Sequence, residues 1–413
     1  MRPSRALLAH AATALAELLT FSRPADQALS AYFRSHRNLG QQDRAFIAET
    51  VFAVLRRKRS LEAAAGSAAP RELVIAALVR VFGLSGRAFD ATGAEDAALA
   101  AKLKAAANPR LEDAVQADLP DWLWQRLEAE YGPEEAAAIA QGLLAPAPLD
   151  LRVNLVKLSR EEALERLGLD AAPTPHSPAG IRLKGKPPIN RHSLFLGGCV
   201  EVQDEGSQLL AYLLAPRRGE MVADFCAGAG GKTLAISMLM RGAGRVYAMD
   251  VSAKRLRELA PRAARAGISN VHPIVLSGEG DVRAKRLSGK LDRVLVDAPC
   301  SGFGTLRRNP DLKWRHDADA VAELAAKQLR ILAAAAKLLK PGGRLVYATC
   351  SILSEENEAV VERFAAAHPE FKPLSCKDLL AAQRIFLDTG ERLRLWPHRH
   401  GTDGFFAAAF ERR

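Results

Sequence analysis

Cysteine is scarce in this chain, and its five copies follow no pattern that would pair them or bind a metal. They are Cys199, Cys226, Cys300, Cys350 and Cys376, an odd set without a C-x-x-C spacing. Such a set argues against a disulfide framework and against a zinc site. We therefore expect reduced thiols in a cytoplasmic protein that binds no metal.

Long apolar runs are also missing. Arg2 and Arg5 precede an apolar stretch over residues 6–21 that resembles a secretion signal, but His10 and Glu17 interrupt it. No stretch reaches the roughly 20 apolar residues that span a membrane. This pattern predicts an amphipathic first helix and no membrane partner.

Acidic residues are outnumbered by basic ones. The 413 residues carry a formal net charge of +11, and the first 60 hold ten Lys and Arg against four Asp and Glu. The hydrophobic share of 48% is ordinary for a globular protein of two or three domains. The basic excess favours an anionic partner, nucleic acid first, although a merely basic enzyme is the alternative.

The pattern of apolar residues changes twice along the chain. Helical periodicity punctuated by proline predicts an all-α domain over residues 1–144. Short strand patterns around a Ser159-x-x-Glu162 capping box then predict a small α+β module over residues 145–200. Strands alternate with helices over residues 201–413, which is typical of a mostly parallel, doubly wound sheet. The predicted fold class is α/β.

Candidate chemistry lies directly after two strand-like runs. Arg293–Val296 leads into Asp297 and Cys300, and Arg344–Ala348 leads into Cys350. The segment between them has the length of one crossover helix, so the simplest topology makes the two strands parallel neighbours. Both thiols and the carboxylate would then share a cleft at the carboxyl edge of the sheet, where open α/β sheets bind ligands.

A glycine-rich turn follows the predicted strand Met221–Phe225. Its ending, Gly231-Lys232-Thr233, resembles a triphosphate-binding loop, but Cys226 stands where that motif needs glycine, and the dinucleotide spacing is not met either. What remains is the first turn of a class I methyltransferase, which is a weak signal alone. Asp250, after the next strand, could accept the ribose hydroxyls of an adenosine, and Asp281 could reach the adenine or simply cap a helix.

Several motifs together resemble the RsmB/Nop/Sun family of RNA (cytosine-5)-methyltransferases. The motifs are Gly206-Ser207-Gln208, Asp224–Thr233, Asp297-Ala298-Pro299-Cys300-Ser301-Gly302, Arg308-Asn309-Pro310-Asp311, Ala348-Thr349-Cys350-Ser351 and the tail Pro397–Phe406. The resemblance implies a Rossmann-like class I methyltransferase domain preceded by an RRM-like module. On a looser match, it implies that the first domain is the NusB-like RNA-binding domain of the bacterial RsmB branch.

The same resemblance implies S-adenosyl-L-methionine as the methyl donor. The residues that it assigns to this cofactor are Cys226, Ala227, Gly228, Ala229, Gly230, Gly231, Lys232, Asp250, Asp281 and Asp297. Lys232 would contact the cofactor carboxylate or cap nearby carbonyls. The family loop usually has the sequence Ala-Pro-Gly-Gly-Lys, whereas Ala229 stands at the proline position here. We therefore expect a looser loop and a lower affinity for the cofactor.

Methylation at carbon 5 of cytosine needs three protein groups. A thiolate must add to carbon 6, ring nitrogen 3 must be stabilised, and carbon 5 must finally lose its proton so that the thiolate can leave. By the resemblance, Cys350 is the nucleophile, Cys300 assists product release and Asp297 holds the cytosine edge. DNA cytosine methyltransferases attack instead with the Pro-Cys cysteine, which would be Cys300. A small buried hydrophobe is the third alternative for either thiol.

The sequence thus predicts an enzyme that flips a cytosine out of RNA and methylates its carbon 5. The favoured substrate is 16S ribosomal RNA, with transfer RNA and 23S ribosomal RNA as alternatives. Alternative functions are DNA cytosine methylation and non-catalytic RNA binding in assembly; the intact set of Asp297, Cys300 and Cys350 argues against the second. A monomer is the default expectation.

Overall fold

The computed structural model describes residues 3–106 and 111–413, which form helices α1–α21 and strands β1–β12. The helices are α1 (Arg5–Leu18), α2 (Ala25–Ser35), α3 (Gln41–Arg56), α4 (Lys58–Ala65), α5 (Pro70–Arg80), α6 (Ala94–Ala105), α7 (Asp113–Gln116), α8 (Asp121–Tyr131), α9 (Pro133–Leu144), α10 (Arg160–Leu167), α11 (Ser193–Leu196), α12 (Glu205–Leu214), α13 (Gly231–Leu239), α14 (Ala253–Arg257), α15 (Leu259–Ala266), α16 (Val282–Lys285), α17 (Leu312–Arg315), α18 (Ala318–Ala336), α19 (Glu358–Ala367), α20 (Cys376–Ala381) and α21 (Pro397–His400). The strands are β1 (Leu149–Val153), β2 (Ala171–Pro173), β3 (Gly180–Leu183), β4 (Val200–Val202), β5 (Met221–Asp224), β6 (Arg245–Asp250), β7 (Val271–Val275), β8 (Leu291–Asp297), β9 (Leu339–Thr349), β10 (Phe371–Leu374), β11 (Leu393–Leu395) and β12 (Phe405–Arg412).

The chain divides into two units, and the first is helical. It comprises Met1–Pro146 and Thr305–Ala318. Ser4 caps α1 by accepting a hydrogen bond from Leu7 N at 3.1 Å. Proline opens α5 and α9, where its missing N–H costs no helical hydrogen bond. The apolar faces of α1–α6 pack into one core, and the prediction of helices up to about residue 144 is confirmed.

The later segment Thr305–Ala318, which contains α17, packs against helix α3 within this unit. The Trp314 indole donates to Leu55 O at 2.9 Å, and Lys313 Nζ donates to Arg56 O at 2.8 Å. Lys313 is buried, and this burial lowers its pKa to about 7 although the charge of Asp118 opposes the change. The last turn of α3 is therefore a binding site for a segment distant in sequence.

The second unit, Ala147–Gly304 with Asp319–Arg413, begins with a small sheet. Its strand order is β2-β3-β1-β4, and every pair is antiparallel. Ser159 caps α10 in the predicted capping box, accepting from Glu162 N at 3.1 Å, while the Glu162 carboxylate accepts from Ser159 N at 2.7 Å. The apolar sides of the strands pack on α10 and α11, with Leu151 and Ile181 fully buried. An α+β module is therefore present here.

A larger sheet follows, in the order β10-β12-β9-β8-β5-β6-β7, with β11 paired to β12. Strands β9, β8, β5, β6 and β7 are parallel, and the strands near the carboxyl terminus add to the edge in antiparallel fashion. Helix α18 is the crossover from β8 to β9, so the prediction that these strands are parallel neighbours is confirmed. In the part of the chain that the structure describes, no helix combines the length and apolar character needed to cross a membrane.

Candidate active site

The two predicted thiols meet at the carboxyl ends of β8 and β9. The Sγ atoms of Cys300 and Cys350 lie 3.4 Å apart, and both residues are partly exposed. The strands fix this approach, since Asp297 pairs in register with Ala348 and Gly304 N donates to Cys350 O at 2.9 Å. The expectation that both thiols face one cleft is confirmed.

Two thiols at this site have a raised pKa. The hydrogen bond with Cys350 and then burial raise the pKa of the Cys300 thiol well above its usual range, and the Glu356 charge adds to this. Burial likewise raises the pKa of the Cys226 thiol, so that side chain acts as an apolar part of the wall. Which of Cys300 and Cys350 attacks a substrate stays a prediction.

Asp297 and Lys232 form an ion pair beside the thiols. Their Oδ2 and Nζ atoms are 2.7 Å apart, and the ammonium lies 5.6 Å from the centre of the Phe405 ring. Burial alone would lower the pKa of Lys232, but the charge and hydrogen bond of Asp297 outweigh it and raise that pKa. Lys232 therefore stays a cation that pairs with a carboxylate, a partner that the sequence did not suggest.

A cavity of about 280 Å³ opens beside these groups. Asp297, Cys300 and Cys350 line one part of it, and Cys226 and Asp250 line another. The remaining walls are partly apolar and partly charged; their residues include Phe225, Val251, Leu276, Ile331, Arg255, Glu279 and Lys327. The cavity thus continues from the two thiols to the ends of β5 and β6.

The other predicted cofactor residues are not among those that line the cavity. Ala227, Gly228, Ala229 and Gly230 lie in the turn between β5 and α13, and Gly231 and Lys232 are the first two residues of α13. Asp250 holds this turn by accepting from Gly228 N at 2.8 Å. Asp281 caps α16, accepts from Ser277 N and pairs with Arg283, and it is not among the lining residues either. Its assignment to a cofactor stays a prediction.

Two arginines hold the carbonyl groups of the glycine-rich turn from outside the cavity. Arg262 on α15 donates to Ala229 O at 2.5 Å and pairs with Glu201 of β4 at 3.1 Å. Arg152 of β1 is buried and donates to Gly231 O at 2.8 Å. The small antiparallel sheet therefore supplies contacts that fix a turn lacking the usual proline.

For S-adenosylmethionine, the methyl donor that the resemblance implies, we expect Arg262→Met to raise the dissociation constant about tenfold, because the turn loses one charge-assisted hydrogen bond that holds it ordered before binding. Calorimetric titration of the cofactor measures this change. Ala229→Pro in the same background should recover part of the affinity, because proline restricts the unbound turn. Arg257→Met, at an exposed position of α14 outside the cavity lining, is the matched control. An unchanged affinity in Arg262→Met would show that the arginine does not order the turn.

Asp224 at the end of β5 predicts a pH dependence of stability. Burial raises its pKa to about 7, against a hydrogen bond from Thr233 Oγ1 at 2.7 Å. The folded state thus keeps a proton that the unfolded chain releases near pH 4, so stability falls as pH rises from about 4 to about 7 and then levels off. We expect Asp224→Asn to remove this pH dependence, which over the whole range from about pH 4 to about pH 7 changes the free energy of unfolding by up to about 4 kcal/mol. Urea unfolding of both proteins between pH 5 and 8 tests this, and parallel curves would contradict it.

Sequence patterns missed several residues of this site. Glu279 and Lys327 line the cavity, and Glu356 lies fully buried beneath the thiols. Glu356 belongs to the polar run Glu355-Glu356-Asn357 shortly after Cys350, and nothing in that run indicates burial. In the described ranges, no group of three or more His, Cys, Asp and Glu side chains is suited to a metal.

Comparison with known proteins places these features in a family. The model of the 16S rRNA methyltransferases RsmB/F matches residues 211–411, and that of the RsmF/B-like ferredoxin-like domain matches residues 119–190. The chain is 36% identical over 307 residues to a probable ribosomal RNA small subunit methyltransferase B of Bacillus subtilis, covering 73% of this chain and 68% of the relative.

A second relative and a solved structure are also methyltransferases by name. The chain is 42% identical over 311 residues to the ribosomal RNA small subunit methyltransferase B of Sodalis glossinidius, covering 72% of this chain and 67% of the relative. The crystal structure of a methyltransferase homolog from Pyrococcus horikoshii is 31% identical, with a TM-score of 0.62 over 73% of this chain and 98% of that one.

Proposed function

The chain belongs to the RsmB/F family of 16S rRNA methyltransferases, and we propose that it transfers a methyl group from S-adenosylmethionine to carbon 5 of a cytosine in RNA. The observation that carries this proposal is the pair of thiols 3.4 Å apart, with the Asp297 carboxylate lining the same cavity. Addition to carbon 6 and later release of the product require two such groups at one base.

The cavity suits S-adenosylmethionine. Apolar side chains such as Val251 and Leu276 offer a surface for an adenine ring, and Asp250 offers carboxylate oxygens for ribose hydroxyls. A Cβ atom built on Gly278, which also lines the cavity, would meet no atom within 4 Å, so there is room at that wall. When bound, the cofactor supplies an electrophilic methyl group. The Asp297 carboxylate also lines this space, where it can accept a hydrogen bond from the ammonium group of the cofactor.

The protein groups divide the work on the base. The Cys350 thiolate adds to carbon 6 of the flipped cytosine, which makes carbon 5 nucleophilic. Addition puts negative charge on ring nitrogen 3, which takes up a proton from solvent, and the Asp297 carboxylate accepts a hydrogen bond from the N–H group that forms. After methyl transfer the Cys300 thiolate accepts the proton from carbon 5, the double bond between carbons 5 and 6 forms again, and the bond between carbon 6 and sulfur breaks, so that Cys350 leaves as a thiolate. Cys300 and ring nitrogen 3 then return their protons to solvent.

The substrate that we propose is ribosomal RNA of the small subunit. The two curated relatives carry that substrate in their names. The net charge of +11 favours a polyanion, since contacts to phosphates position RNA without reading its sequence. The helical domain and the α+β module are the parts that we assign to RNA binding.

Incubation with labelled S-adenosylmethionine and purified 16S ribosomal RNA tests the proposal. Nucleoside mass spectrometry should find the label as 5-methylcytidine, approaching one group per RNA molecule. Cys350→Ala is the negative control, and 23S ribosomal RNA and transfer RNA are the competing substrates. Label in another nucleoside, or none in any of these RNAs despite cofactor binding, would contradict the proposal.

A further inference from the structure

A buried carboxylate links the two turns that carry the thiols. Glu356 is fully inaccessible, and its Oε1 atom accepts from Ser301 N at 2.8 Å and from Gln328 Nε2 at 2.9 Å. Its Oε2 atom accepts from the hydroxyls of Ser301 and Ser351. Ser301 follows Cys300 and Ser351 follows Cys350, so one side chain binds the residue next to each thiol.

The surroundings make this link rigid. Gln328 of the crossover helix α18 also donates to Pro299 O at 3.0 Å, and the Tyr347 hydroxyl donates to Glu356 O at 2.6 Å. Both side chains are fully buried. The four groups that bind the Glu356 carboxylate are neutral donors. A buried carboxylate with neutral partners is costly unless every hydrogen bond is made, so the two turns are held in one arrangement.

We propose that Glu356 is a positioning residue that holds the Cys300 and Cys350 turns at the spacing needed for attack by one thiol and release by the other. The claim that this spacing serves catalysis rests on the proposed function of the two thiols. The claim that Glu356 sets the distance between the sulfur atoms does not depend on that function. Glu356 does not line the cavity and acts through Ser301 and Ser351.

The spacing can be measured without any methyl transfer. A mild azo oxidant converts two neighbouring thiols to a disulfide: the thiols lose two protons and two electrons, and the azo group becomes a hydrazine. With the full-length protein, the rate of the Cys300–Cys350 crosslink, identified by peptide mass spectrometry, reports how often the sulfur atoms meet. We expect Glu356→Ala to lower this rate at least tenfold and the turnover number similarly, with an unchanged dissociation constant for S-adenosylmethionine.

Glu356→Gln should restore both rates to within about threefold, because its oxygen can accept from Ser301 N and Gln328 while its amide donates to the serine hydroxyls. Ser351→Ala removes one donor only and should give an intermediate rate even if Glu356→Ala does not fold. Glu205→Ala is the matched control, since Glu205 is an equally buried carboxylate that accepts from His176 N and Ser177 N. It should leave the crosslinking rate unchanged.

The outcomes separate the two proposals. A wild-type crosslinking rate in folded Glu356→Ala, or in Ser351→Ala if the first variant does not fold, would overturn the role of Glu356. A Glu356→Gln variant that behaves like Glu356→Ala would overturn it as well. Slow crosslinking in Glu356→Ala, together with no methylation of RNA by the wild type, would retain the positioning role and refute the proposed function.

Discussion

Cys300→Ala is expected to accumulate a covalent complex with RNA that survives denaturation, whereas Cys350→Ala forms none. Attack by Cys350 makes a carbon–sulfur bond at carbon 6, and that bond breaks only after the proton leaves carbon 5. Removing Cys300 leaves the attack intact and slows the release. Removing Cys350 abolishes the bond itself, and methyl transfer should fall on the order of 10³-fold or more, as for the loss of other nucleophiles.

The measurement uses end-labelled RNA, S-adenosylmethionine and a denaturing gel. The double variant Cys300→Ala/Cys350→Ala should give no complex, which shows that the trapped bond is to Cys350. Cys376→Ala is the control for loss of a thiol, since Cys376 is buried, does not line the cavity and donates to Ala407 O. Trapping by Cys350→Ala alone would assign the attack to Cys300, as in the DNA enzymes.

Much of this site could be predicted because strand ends obey local rules. The runs before Asp297 and Cys350 are short and apolar, and each is followed by a turn, so their carboxyl ends could be located from sequence. The segment between them has the length of a single crossover helix, and this length predicted that β8 and β9 are parallel neighbours. These local signals placed Cys300 and Cys350 in one cleft, and the structure confirms this.

Side-chain partners across the fold could not be predicted in the same way. Lys232 pairs with Asp297 across 65 positions of sequence, and Arg152 reaches Gly231 across 79. Such pairs depend on how the layers pack, and residue spacing along the chain carries no information about that. Glu356 was missed for a related reason: a charged residue in a polar run is normally exposed, and its burial is tolerable because Ser301, Ser351 and Gln328 donate hydrogen bonds to its carboxylate.

Asp297 has two possible roles: it contacts the substrate, or it only neutralises the buried Lys232 ammonium. Variants of this ion pair can distinguish the two roles. We expect Asp297→Asn to lower the turnover number about 10²- to 10³-fold, because an amide cannot stabilise positive charge that develops on the cytosine ring. The same change leaves the Lys232 ammonium without its carboxylate, and its side chain is only 13% exposed. Thermal unfolding should therefore show a loss of about 3 kcal/mol.

Adding Lys232→Met to Asp297→Asn removes the unpaired ammonium and should recover most of the lost stability, since replacing both members of a buried pair costs less than removing one. Turnover, measured at saturating S-adenosylmethionine to exclude a change in cofactor affinity, should stay at the level of the single variant. If turnover returns together with stability, the carboxylate serves only to neutralise Lys232. If stability returns and turnover does not, Asp297 acts on the substrate itself, and Lys232 is the counter-ion that pairs with it in the cleft.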